Sequence, residues 1–233
     1  MTGRFIGDGR RQSGCCLLSH KNFKMRNLYF LFILLLCIGS LSCKKEDSNV
    51  LIEPRGWFLS GNRIQNYQIG IDDLDAQHGQ KSGYIASVVD TSTGFGTLMQ
   101  LCNGNNFRGE RIRMRGYIQS YGLETTLTMM WVRVDDFDKR VIADFDDMDN
   151  RPITGTQFWR SCEIVFDVPE SNCVINYGVV LIGTGKVWMD NVTFDTVSRS
   201  TIKTADYLDI PLPSDYSLPQ DLPDEPINLD FEE

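Results

Sequence analysis

From residue 50 to residue 197, apolar side chains recur with period two in short runs, and nowhere over a useful length with the period of a helix. The clearest run follows the turn Gly183-Thr184-Gly185. Val187, Met189, Asn191 and Thr193 fall on one parity; Trp188, Asp190, Val192 and Phe194 fall on the other. Such alternation describes a strand with two unlike faces. Similar runs occupy residues 66–71, 84–89, 95–102, 112–119, 125–134 and 158–168, and Trp57-Phe58-Leu59 opens the series. Residues 174–182 are almost continuously apolar, the pattern of a strand buried on both faces. Turn chemistry such as Asn103-Gly104-Asn105-Asn106 separates them. About eight to nine short strands without a convincing helix predict an all-β sandwich. A chain of 233 residues with 42% hydrophobic content can fill its core.

The N-terminal region reads as an address. Residues 28–41, LYFLFILLLCIGSL, are too few to span a bilayer comfortably and fit the apolar stretch of a secretory signal. Gly39-Ser40-Leu41-Ser42 leads to Cys43, and the segment resembles a bacterial lipoprotein signal in which the cysteine is lipidated. Ser40 departs from the usual aliphatic residue. Relaxed boxes of this kind, followed by Lys45-Glu46-Asp47, look like those of Bacteroidota, where lysine and acids can serve as a surface-export tag. The expected organisation is a leader or gene-model extension at 1–24, a signal at 25–42, a tether at 43–54, the sandwich at 55–198 and a tail at 199–233. The expected location is the cell envelope, lipid-anchored through Cys43, at the outer membrane and on either side of it.

Charge excludes one class of partner. Six of the 23 Lys and Arg but only one of the 31 Asp and Glu precede Cys43; the remaining 17 against 30 give −13. A chain this acidic has no electrostatic footprint for nucleic acid. Between Asp206 and Glu233 lie nine acids, five prolines and no basic residue. That composition predicts an extended acidic tail, with residues 227–232 (INLDFE) able to return as an edge strand.

Taken together, residues 56–58, 95–100, 107–118, 129–135, 146–159 and 183–194 resemble a galactose-binding-like jelly roll, the fold of many carbohydrate-binding modules. The kind resembled also occurs fused to AraC-type regulators. His78-Gly79-Gln80-Lys81-Ser82 is similar to the turn that precedes an inner strand in such modules. The resemblance implies a jelly-roll β-sandwich that binds rather than catalyses, with a glycan or another extracellular ligand as partner. Nothing in the acidic sequence extends it to DNA binding.

Residues 135–156 form the least regular stretch and are expected to be a loop. Asp135, Asp136, Asp138, Asp144, Asp146, Asp147 and Asp149 crowd its first part. A carboxylate pair there could serve a glycosidase, and carboxylates could hold a structural calcium ion, but the EF-hand spacing is missing and no cofactor is expected. The bland alternative is a solvated acidic loop. Asp149-Asn150-Arg151-Pro152-Ile153-Thr154 is the most site-like run. Trp131 is the tryptophan to test as a sugar platform because Arg133 shares its face; Trp159 and Trp188 are expected in the core, and Trp57 to pack the entry strand. The candidate ligand-binding residues are therefore Trp131, Arg133, Asp146, Asp149, Asn150, Arg151 and Thr154. Of the cysteines after Cys43, Cys162 and Cys173 are the closest pair for a disulfide. The expected function is a membrane-anchored, non-catalytic binding lipoprotein. A structural or protein-interaction subunit with an unknown partner, and a hydrolase using residues 135–149, are the alternatives.

Overall fold

The computed structural model describes residues 52–233. The signal, Cys43 and most of the expected tether lie outside the described residues. Eleven strands follow in chain order: β1 (Phe58–Gly61), β2 (Tyr67–Asp72), β3 (Ser82–Ser87), β4 (Phe95–Asn103), β5 (Arg111–Tyr121), β6 (Leu127–Asp136), β7 (Val141–Asp146), β8 (Gln157–Asp167), β9 (Cys173–Ile182), β10 (Lys186–Val197) and β11 (Asp206–Pro211). The only helical elements among the described residues are two 3₁₀ turns, Ile64–Asn66 and Asn105–Phe107.

All pairings are antiparallel, in two sheets. One has the order β1-β4-β9-β6-β7-β11, the other β2-β3-β10-β5-β8. From β3 to β10 the chain alternates between them, except at the β6–β7 hairpin, so that β4-β9-β6-β7 faces β3-β10-β5-β8. This is the jelly-roll wind, with β1, β2 and β11 added at the edges. Alternate residues fill the space between the sheets. Met130, Val132 and Val134 from β6 meet Ile112, Met114 and Ile118 from β5, all at 0% exposure. Phe194, Phe166 and Tyr177 form an aromatic cluster, with Tyr177 and Phe194 edge to face at 4.8 Å.

Two strands were not expected. Residues 135–156 are not one loop, because β7 pairs with β6 within them. The carboxylates of that stretch are not solvated either. Asp135, Asp136, Asp144 and Asp146 are buried, and each finds donors. Asp136 Oδ1 accepts from the amides of Asp138 and Lys139 at 3.1 and 3.0 Å. Asp144 accepts from the Asp167 amide at 2.7 Å and from Lys203 Nζ at 2.9 Å. Burial nevertheless pushes the Asp144 carboxyl above its ordinary range, against those bonds.

The expectation of an extended tail is corrected as well. β11 pairs with β7, so the edge strand is Asp206–Pro211 rather than residues 227–232. Beyond it the chain is strapped across both sheets. The Asn103 amide donates to Pro223 O at 2.8 Å, and Gln100 exchanges bonds of 3.0 and 2.8 Å with Ile227. Residues 227–232 take no strand conformation, and Asn228 and Phe231 hold positive φ. Phe231 is fully buried beside Trp57, whose indole donates to Asn228 O at 3.0 Å. Phe231 lies over Gly83, where a Cβ would overlap its ring. Glu232 then accepts from the amides of Gln80 and Lys81 at 2.5 and 3.0 Å.

The Cys162–Cys173 disulfide does not form: Cys102, Cys162 and Cys173 are free and buried. Cys162 lies on β8 opposite Gly116, in the five-stranded sheet, whereas Cys173 begins β9 in the other sheet opposite Asp136.

Candidate binding face

Along β6, Met130, Val132 and Val134 point into the core, so Met129, Trp131 and Arg133 point out of the six-stranded sheet. Trp131 lies opposite Gly178 on β9, and Gly178 lies opposite Met99 on β4. The indole extends over β9 and donates from Nε1 to Thr97 Oγ1 at 2.9 Å. Thr97 is held in turn by donating its hydroxyl to Val179 O at 3.0 Å. The ring is thus half-buried against the core and fixed at its polar edge.

Arg133 is opposite Phe145 on β7. Its Nη2 donates to Asp135 Oδ2 at 2.9 Å. The same oxygen accepts from Asn176 Nδ2 at 3.0 Å and from the Tyr216 hydroxyl at 3.1 Å. Burial, with Asp135 beside it, raises the Tyr216 hydroxyl above its ordinary range, so it stays protonated and donates. Tyr216 belongs to the strap after β11, and the strap therefore helps to orient Arg133.

Trp131, Thr97 and Arg133 border a cavity of about 560 Å³ on the outward face of the sheet. Its floor is Thr97, Met99, Met129, Trp131 and Val180; its rim includes Asn62, Phe95, Arg133, Phe145, Asp147 and Ile182. An apolar floor with a few fixed polar groups at the edge suits a small ligand, and the volume lies in the range of about 300–1,000 Å³ usual for such sites.

The structure brings together two of the seven expected site residues, Trp131 and Arg133. Asp146, Asn150 and Arg151 form a separate cluster: Arg151 Nη2 donates to Asp146 Oδ2 at 2.7 Å and Nη1 to Asn150 Oδ1 at 3.0 Å. Arg151 also reaches Glu163 O on β8 at 3.3 Å, which marks this as a clasp between the sheets. Asp149 and Thr154 are exposed and outside the cavity. Asn62, Phe95, Phe145 and Asp147 were missed. Phe145 could have been found by reading residues 141–146 as a strand; Asn62 and Phe95 come from segments joined only by folding.

Two tryptophans are also misplaced by the sequence reading. Trp57 is in the core, but Trp159 and Trp188 lie on the outward face of the five-stranded sheet. In β10 the register with β5 gains a residue between Asp190 and Thr193, with Asn191 at φ 49°. This β-bulge reverses the parity, so Phe194 points inward while Trp188 does not. Asp190 itself is buried and secures the turn at 77–78, accepting from the amides of Gln77 and His78 at 2.8 and 2.9 Å.

Fold and cavity together define a jelly-roll β-sandwich with a ligand-sized cavity on one sheet. In comparison with known proteins, the chain is 39% identical over 191 residues to the HTH-type transcriptional regulator YbfP of Bacillus subtilis (strain 168), a match covering 82% of this chain. The chain spans 61% of the length of that relative. No family model matches. Among solved structures, similarity is found to the CBM22-1 xylan-binding domain of Paenibacillus barcinonensis Xyn10C, with 12% identity, TM-score 0.47, and coverage of 64% of this chain and 90% of that one. The enzymatically active domain of bacteriophage CBA120 tailspike protein 4 is similar at 15% identity and TM-score 0.48, over 62% of this chain and 20% of that one.

Proposed function

We propose that the chain is a non-catalytic glycan-binding module, held at the cell envelope by lipid on Cys43. The observation that carries the reading is the indole of Trp131, pinned by Thr97 on an outward sheet face beside Arg133. A pyranose ring has one face of C–H groups and an edge of hydroxyls. The C–H face stacks on the Trp131 floor, while the hydroxyls donate to Asp147 and accept from Arg133 and Asn62 at the rim. The non-catalytic reading is supported by the buried carboxylates of residues 135–149. Asp135, Asp136, Asp144 and Asp146 are committed to structural donors and do not line the cavity.

The regulatory role named for the B. subtilis protein does not carry over to the described part of this chain. No α-helix is available among the described residues to enter a DNA groove, and the chain from Cys43 onward is strongly acidic. Titration of the protein against soluble neutral polysaccharides tests the glycan reading. Binding that is weakened in Trp131→Ala supports it, and an absence of binding to every glycan tried rejects it. For the anchor, Cys43→Ser is expected to leave the membrane fraction; retention there would reject lipidation.

A further inference from the structure

The outward face of the five-stranded sheet carries a second aromatic surface. Tyr84 on β3 and Gln119 on β5 flank Trp188 on β10 in register. Trp159 follows on β8, beyond Gln119. Both indoles are fixed by carboxylates. Trp188 Nε1 donates to Asp72 Oδ2 at 2.8 Å, and Trp159 Nε1 donates to Asp75 Oδ1 at 3.1 Å. The other oxygen of Asp75 accepts from Gln119 Nε2. Between the indoles lies a cavity of about 350 Å³, which Tyr121 and Phe158 also border. Tyr121 is 65% and Phe158 92% exposed, and none of the four rings belongs to the core. Single exposed aromatics need no explanation; four converging on one cavity do.

The chemistry of the rim narrows the ligand. Asp75 and Gln119 on the lining present acceptors, and Asp72 holds Trp188 beside it, which opposes an anion. Lys186, two residues before Trp188 on β10, is bound to Asp72 at 2.7 Å. Its ammonium lies 4.2 Å from the Tyr84 ring centre and 4.4 Å from that of Trp188, so it covers one face of each ring and a ligand cation would meet like charge there. A neutral ligand with C–H faces and hydroxyl edges fits both the rings and the acceptors. β10 and β8 are separated by β5, so Trp188 and Trp159 rise from positions about 10 Å apart. That separation is comparable with two ring-to-ring steps along an extended pyranose chain. Because the indoles are already immobilised, little rotamer freedom remains to be lost on binding.

We propose that this face is a second glycan-binding surface, which takes alternate rings of a neutral polysaccharide on Trp159 and Trp188, with the exposed Phe158 as a flank. It shares with the first face only the class of ligand. A module with a site on each sheet can hold two chains, or two segments of one, at once.

The four tryptophans make the test direct. The full chain, labelled with ¹⁵N, is titrated with xylohexaose, mannohexaose and cellohexaose, and the four indole N–H signals are followed. Movement of Trp159 and Trp188 is expected with at least one of these probes, while Trp57 in the core stays fixed. Phe158→Ala, which removes no packing from the core, is expected to weaken the response of those two signals at least about tenfold. Movement of Trp131 alone overturns the second site and leaves the first face standing. Movement of Trp159 and Trp188 alone supports the second site and counts against the first. No movement with any probe rejects both.

Discussion

Phe231 sets its ring 4.9 Å from that of Trp57, so residues from the two ends of the described chain close one core. The strap that carries Phe231 also carries Tyr216, which bonds the carboxylate that orients Arg133. The tail is thus part of the sandwich and of the support beneath its candidate binding face.

Phe231→Ala is expected to lower stability by about 3–5 kcal/mol, the cost of truncating a fully buried phenylalanine. Gly83→Ala is expected to act in the same direction, because the new Cβ overlaps the Phe231 ring. Urea denaturation of the two variants checks both, and an unchanged midpoint in either would contradict the packing of the strap.

The three described cysteines are expected to resist thiol reagents in the folded protein. Burial raises the Cys162 thiol and pushes those of Cys102 and Cys173 up to about 12, so almost no thiolate forms at neutral pH. Peptide mapping after alkylation under native conditions should find all three unmodified, and denaturant should expose all three. A Cys162–Cys173 disulfide peptide from the native protein would be the opposite result.

Acid should remove one ion pair in a defined direction. The hydrogen bond from Arg111, at 2.8 Å, holds the Asp167 carboxyl below its ordinary range despite some burial. Since the folded value is the lower one, the pair contributes fully above about pH 4 and fades as pH falls through the folded value. Asp167→Asn is expected to lose less stability than the parent between pH 5 and pH 2, read by denaturant midpoints. Equal acid limbs would contradict the pairing.

Thr97→Val keeps the shape of the floor but removes the acceptor for Trp131 Nε1. Glycan affinity should fall by about 0.5–1.5 kcal/mol, several-fold, because the indole loses its fixed orientation. The comparison is made by calorimetric titration; an unchanged affinity would show that the bond does not position the ring.

The strands were legible because period-two alternation reports directly on a sheet with one face in the core. Residues 187–189 and 112–118 show the pattern and form β10 and β5. What escaped had physical causes. β7 was hidden because its carboxylates, Asp144 and Asp146, are buried on donors that come from residues distant in sequence or from the following turn. β11 was hidden by prolines that an edge strand tolerates. Parity failed at Trp188 and Phe194 because one bulged residue lies between them. Trp159, however, shows the opposite parity to Cys162, Ile164 and Phe166, so its outward position was readable. Pairing Trp131 with Arg133 succeeded because residues two apart on a strand share a face where no bulge separates them. Phe95 and Asn62 depend on β1 and β4 meeting β6 across β9, which no local pattern records.

The most direct measurement is a neutral-glycan microarray probed with the parent protein and with Trp131→Ala, both first shown to melt alike. The parent is expected to bind at least one neutral glycan, and the variant to bind it about thirtyfold more weakly at the first face, the loss expected for a binding hot spot of about 2 kcal/mol. Equal binding by the two proteins would contradict the assignment of the face built on Trp131, and no binding by the parent would contradict the glycan reading itself.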